Sequence, residues 1–295
     1  MKNLPRTLQA ILFMLLSMAS FASMSSVIHL LAGELHSAQM VFMRNLFSLL
    51  IIVAVCAYLQ RRAIPRFTTE RMSGHFWRGT IGLLAMELWF YSLTLMPITL
   101  ATAISFITPI LGTIIAITCL GEKAGIRRWS AIMVGFVGML VILRPDAGQM
   151  ESSALIVLAS SLLMAIAGTL VKTLTRTESP ETIVFYMSIF MLLWSIPPAF
   201  YYWQEPSLYE IGLMFLIAVF STIAHLSLTR AFMRADIVVL MPFDFTRLVF
   251  TAILAYILFG EVMDSQTITG SLIIAASAIY ITHREAKIRK KSGNS

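Results

Sequence analysis

Four ionisable side chains lie where apolar sequence surrounds them: Arg44, Glu87, Asp244 and Arg247. A charged group inside a hydrocarbon layer costs a few kcal/mol or more, so one that persists faces a cavity or a partner. Asp244 and Arg247 are three residues apart and share a helical face. They can form a mutual ion pair, or Arg247 can turn its planar fork toward a carboxylate of a bound solute. Glu87 has no charged neighbour three or four residues away. It must be protonated, reach a cation such as Arg247 across the bundle, or face water, which suits it to carry a coupling proton or to hold a substrate cation. Arg44 sits about a third of the way into its segment. It can snorkel outward as an anchor or gate, or take part in binding.

Aromatic residues accompany these charges. Trp89 and Tyr91 follow Glu87, with Tyr91 four residues on, while Phe106 precedes Pro109 and Phe243 and Phe245 flank Asp244. Such a wall suits an amphipathic or cationic organic solute. Pro109 and Pro242 cannot donate a backbone hydrogen bond and free the carbonyls of Ser105 and Val238. They mark candidate helix breaks, a feature of transport sites.

The elements that carry these residues are long apolar runs. The 295 residues are 58% hydrophobic and 13% charged, with a mean hydropathy of +0.82. A soluble domain carries about 25% charged residues, so this chain belongs in a lipid bilayer. Windows of about 20 apolar residues, each enough to cross the hydrocarbon as a helix, fall near 8–32, 38–59, 77–97, 99–120, 129–143, 153–174, 182–203, 209–229, 238–259 and 267–283. The spacing predicts an all-α membrane protein of ten spans. Tyr58, Trp77, Trp129, Tyr201, Tyr202 and Trp203 stand where span ends meet headgroups.

The chain also repeats itself. The run from Thr99 to Gly121-Glu122 and on to Leu143 recurs from Val238 to Gly260-Glu261 and on to Ile281, displaced by 139 positions; Val41-Phe42 and Phe47 face Val184-Phe185 and Phe190 at 143. Two copies of five spans, residues 1–147 and 148–295, must insert with opposite orientation, because five is odd. Inverted repeats place a solute site at mid-membrane between the copies, and alternating access follows from rocking one copy against the other.

Starting from the cytoplasm, ten spans put all of the 22 basic residues except Arg44, Arg144 and Arg247 on the cytoplasmic side or at its edge, Arg78 included. Both termini are then cytoplasmic. The net charge of +7 lies in short loops, which argues for anionic lipid and against nucleic acid. Cys56 and Cys119 lie in apolar runs without metal or disulfide spacing. His29 and His225 lack a second ligand at metal spacing. No phosphate loop, carboxylate pair or nucleophilic triad is present, so neither an enzyme nor a cofactor is expected. Lys2 and Arg6 before an apolar run resemble a signal peptide. The run continues to about Leu31 and has its own counterpart at Ser153–Leu174, so it is expected to stay.

Small residues predict packing. Ser17, Ser20, Ser23 and Ser26 form a stripe that either admits a neighbouring helix or lines a cavity, and Gly135, Gly138 and Gly270 mark close-packing faces.

Ala101-Thr102-Ala103 through Pro109 to Gly121-Glu122, Gly135 to Arg144-Pro145, and Ala235 through Leu248 to Gly260-Glu261 resemble the drug/metabolite transporter superfamily, EamA type, over all ten spans. The resemblance implies a cavity between two five-helix repeats, bordered by spans one, three, four, six, eight and nine, in a bacterial inner-membrane protein. Members move amino acids, nucleotide-linked metabolites, vitamins such as riboflavin, S-adenosylmethionine and drugs. The second copy departs from the common pattern in having Arg247-Leu248 where the first has Thr108-Pro109. The expected site comprises Glu87, Arg247, Asp244, Trp89, Tyr91, Phe106, Phe243 and Arg44, acting on a zwitterionic or amphipathic solute in a monomer or homodimer. An uncoupled facilitator, an exporter of drugs or vitamins, and a non-transporting scaffold or lipid-handling subunit are the competing readings.

Overall fold

The computed structural model describes residues 5–60, 67–119, 126–143, 152–235, 240 and 243–292. Their helices are α1 (Arg6–Leu30), α2 (Ser37–Gln60), α3 (Met72–Leu95), α4 (Ile98–Ser105), α5 (Thr108–Cys119), α6 (Ile126–Leu143), α7 (Ser152–Leu174), α8 (Pro180–Tyr201), α9 (Leu208–Arg234), α10 (Thr246–Phe259) and α11 (Ser265–Ser292). Within the described residues, each expected apolar run falls mainly on helix. The fourth run is divided between α4 and α5. Among the described residues there is no strand, only an isolated bridge between Ala32 and Leu35. Among the described residues, five helices, α1, α2, α7, α8 and α9, are long and apolar enough to cross a membrane. In lipid a helix is the solution that satisfies every backbone group within one segment.

Local sequence sets several helix ends. Ser179 accepts from the Thr182 N–H at 3.1 Å, with Pro180 opening α8. Ser207 and Glu210 form a reciprocal capping box at α9. Pro197-Pro198 does not end α8, which runs on to Tyr201. Gly260, at φ +68, closes α10 in the left-handed conformation that glycine adopts without penalty.

Packing joins the two halves of the chain. α1 lies on α9 and α3 on α7; α1 meets α10, and α7 meets α4 and α5; α3 lies on α8 and α2 on α9. Each of these contacts turns into its mate when the halves are exchanged. The correspondence reaches single hydrogen bonds. Ser17 donates to the Ala224 carbonyl at 2.9 Å and Ser160 to that of Ala85 at 2.8 Å. His29 Nδ1 lies 2.7 Å from the Leu93 carbonyl, and Lys172 donates to that of Phe232 at 3.3 Å. Ser17 and Ser160, like His29 and Lys172, differ by 143 positions, and their carbonyl partners differ by 139, the displacements of the sequence repeat.

The serine stripe of α1 is mostly a packing face: Ser17, Ser20 and Ser26 are buried, and Ser20, Ser23 and Ser26 bond back to their own helix. α6 and α11 pack chiefly on each other. A Cβ on Gly138 would stand 2.9 Å from the Gly270 carbonyl oxygen, and one on Gly270 2.6 Å from that of Gly138. The seam exists because neither residue has a side chain.

Candidate functional site

Two broken helices meet beside Arg247. α4 ends at Ser105, Phe106 and Ile107 turn back onto the carbonyls of Ala103 and Ile104, and α5 starts at Thr108. Pro109 cannot donate to the Ser105 carbonyl; the Thr108 hydroxyl does so instead, at 2.6 Å. Near Phe245 the chain turns again, with the Leu248 N–H reaching the Phe245 carbonyl and the Thr246 hydroxyl reaching that of Phe243 at 2.6 Å. Pro242 and Val238 lie outside the described residues. The rings of Phe106 and Phe245 meet edge to face with centroids 4.8 Å apart, so the two breaks face one another.

Arg247 leaves the first turn of α10 and crosses this gap. Its Nη2 donates to Ser105 Oγ at 2.5 Å, and its guanidinium lies 5.3 Å from the centroid of the Trp89 ring. The Ser105 hydroxyl donates its own hydrogen bond to the Thr102 carbonyl at 2.7 Å, which leaves the oxygen lone pairs toward the arginine. Trp89 is buried, and its Nε1 reaches Ser25 Oγ at 3.4 Å. Asp244 and Arg247 act on each other electrostatically, yet among the described residues they form no salt bridge within 4 Å. Both are half-buried. Glu87 is also half-buried, and its Oε1 is shielded without a hydrogen-bond partner. A carboxyl oxygen in that condition is an acceptor awaiting a donor.

The structure thus brings Arg247, Trp89 and Phe106 together with Ser25, Ser105 and Phe245, and leaves others aside. Phe243 packs with Met14, Met18 and Phe232 in a separate apolar cluster. Tyr91, a turn from Glu87, is 44% exposed. Arg44 does not snorkel: it is fully buried, with Nη2 donating to Ser221 and Nη1 to Asn45 Oδ1 at 2.5 Å. Arg78, expected at the cytoplasmic edge, is also buried, against Met187 of α8. Position in the chain gave no warning of this. Gly82, one turn on, makes room for it, since a Cβ there would run into Arg78 Nη1.

The Gly-Glu element that follows α10 in the second copy proves to be a cap. Pro97 precedes α4 and offers its N-terminus no side-chain acceptor. Glu261 takes that part from across the molecule, accepting from the Ile98 and Thr99 N–H groups at 3.4 Å and from the Thr99 hydroxyl at 3.0 Å. A carboxylate there also suits the helix dipole. His29 Nε2 lies 3.4 Å from the same carboxylate. Gly121-Glu122 lies outside the described residues. Among the described residues no cluster of His, Cys, Asp and Glu could hold a metal ion.

Comparison with known proteins agrees with this architecture. Residues 8–144 and 151–283 each match the EamA-like transporter family. An S-adenosylmethionine uptake transporter of Rickettsia bellii is 31% identical over 277 residues, covering 94% of each chain. A riboflavin transporter of Vibrio cholerae is 28% identical over 246 residues, covering 82% of this chain and 83% of its own. A solved crystal structure superposes with a TM-score of 0.63 at 16% identity, over 95% of this chain and 96% of its own, a likeness of fold.

Proposed function

Since this chain belongs to the EamA-like transporter family, and is a membrane transporter of a small metabolite rather than an enzyme, we propose that it carries a zwitterionic solute such as S-adenosylmethionine. The observation that carries the reading is Arg247 bridging two broken helices beside Trp89, with an unpartnered Glu87 oxygen in the same bundle. Arg247 offers a fork for a carboxylate. Glu87 offers a counter-charge for an ammonium or sulfonium, or a site for a coupling proton. Phe106 and Phe245 supply apolar surface for a ring.

The mechanism follows from the duplication. Ten spans in two inverted five-helix repeats rock about the Arg247 centre in a bacterial inner membrane, with both termini in the cytoplasm. The mated contacts between the halves support this arrangement, because they give the two repeats equivalent surfaces on which to exchange positions. Asp244, a turn before Arg247, moderates its charge when no solute is bound. A bacterial relative moves S-adenosylmethionine, whose carboxylate, cationic centres and adenine match the three kinds of group present.

Uptake of labelled S-adenosylmethionine into proteoliposomes tests the reading. Saturable uptake in the wild type, lost in Arg247→Ala and Glu87→Gln while both variants still melt cooperatively, supports it. Wild-type rates in either variant overturn the site. Uphill flux driven by an imposed proton gradient distinguishes coupled transport from facilitation. Stabilisation by riboflavin but not by adenosyl compounds would redirect the solute assignment toward flavins.

A further inference from the structure

A second group of buried cations lies apart from the Arg247 centre. Arg44 of α2 and Arg78 of α3 belong to the first half, and they press against α8 and α9 of the second. Arg44 Nη1 lies 3.9 Å from Met191 Sδ, and Arg78 Nη2 lies 3.3 Å from Met187 Sδ. The two methionines are one turn apart on α8, about 6 Å of rise. The two guanidinium groups lie within electrostatic range of each other and of His225 of α9. Arg44 is 0% exposed and Arg78 6%. Among the described residues neither makes a salt bridge.

The chemistry here is one-sided. Arg44 Nε, Arg78 Nε, Arg78 Nη1 and Asn45 Nδ2 are all buried without an acceptor. Their present partners are Asn45 Oδ1, one hydroxyl and two thioethers, and a thioether is a weak acceptor. Two like charges out of water, with orphaned donors, are unfavourable unless an anion joins them. Each oxygen of a carboxylate can accept two hydrogen bonds, about four sites in all, which matches the number of unused donor atoms. Gly82 lets these side chains close on α3, since a Cβ there would run into Arg78 Nη1 and Met191 Cε.

We propose that Arg44 and Arg78, with Asn45, form a buried seat for a carboxylate ligand between α2, α3, α8 and α9. An occupant neutralises cations of the first half against helices of the second, and so ties the halves in the arrangement seen here. The seat stands independently of which solute the Arg247 centre carries.

Thermal melting of the purified full-length protein, with sodium malonate replacing sodium chloride at constant ionic strength, tests this. The wild-type midpoint should rise with the logarithm of malonate concentration. Arg44→Met and Arg78→Ile introduce the residues found at the corresponding second-half positions, Met187 and Ile217. Both should melt no lower than wild type without malonate, as buried charges are removed, and should lose the response. Arg44→Lys keeps the charge without the fork and should need at least tenfold more malonate for half the shift. An unresponsive wild type, variants that respond like it, or a response to inorganic phosphate and not to malonate would overturn the seat. Failure of S-adenosylmethionine uptake would leave this outcome untouched, because the two are read separately.

Discussion

The two halves of the chain share their scaffold and differ in their charges. Ser17 and Ser160 make the same hydrogen bond to corresponding carbonyls, and His29 and Lys172 do likewise. At the positions of the buried charges the likeness stops. By the same displacements Glu87 corresponds to Leu226, Arg247 to Thr108, Asp244 to Ser105, Arg44 to Met187 and Arg78 to Ile217. Duplication supplied matching surfaces on which two bundles can pack, and divergence placed each ionised group on one side only. A solute with distinct positive and negative ends needs that asymmetry, since a symmetric site would present the same group to both.

Making the halves alike at the charges is the severest way to break this comparison. Arg247→Thr and Glu87→Leu should each reduce uptake in proteoliposomes at least 100-fold, about 2.7 kcal/mol of lost transition-state stabilisation, without lowering the melting midpoint. Uptake at wild-type rate would mean that the asymmetry is incidental. Removing only the hydroxyl under Arg247, in Ser105→Ala, should cost about tenfold in uptake, in line with about 1.5 kcal/mol for a hydrogen bond to a charged group.

Changes to the shared scaffold should act on stability and not on selectivity. Gly138→Val forces the α6–α11 seam apart and should destabilise by about 1–3 kcal/mol, with transport per folded molecule retained. Glu261→Gln keeps the shape of the α4 cap but removes its charge; about 0.5–1 kcal/mol should be lost, read as a lower midpoint at low salt. A matched pair of small effects sharpens the comparison most. Ser17→Ala and Ser160→Ala should each cost about 1 kcal/mol, and values differing by more than about 1 kcal/mol would show that the mated bonds are not equivalent.

Much of the architecture was legible in the sequence. Apolar runs of membrane length, the displaced repeat and Pro109 together anticipate the helices and the break after Ser105, because these depend on composition and backbone chemistry local to each segment. Arg247 and Glu87 stand out for the same reason, as charges in apolar surroundings. What was not legible depends on contacts between distant segments. Arg78 lies among other basic residues near a span end, and only its fit over Gly82 against Met187 and Met191 takes it inside. Tyr91 shares a nominal face with Glu87, yet that face is wide enough for one residue to turn inward and the next to stay exposed. Phe243 and Phe245 straddle a break, where helical phase is reset, so spacing alone could not say which ring would meet Phe106. Glu261 reads as a helix-end residue, and its acceptor role at α4 emerges only when the second half closes on the first.

That last contact has a mechanical consequence. The carboxylate following α10 grips the leading amides of α4, so the near ends of two short, interrupted helices from opposite halves are pinned together like the rivet of a pair of shears. An excursion of α4 is thereby coupled to the end of α10, and the turn at Phe106 and Ile107, where the helical bonds shorten to three-residue ones, is the place in this segment suited to bend.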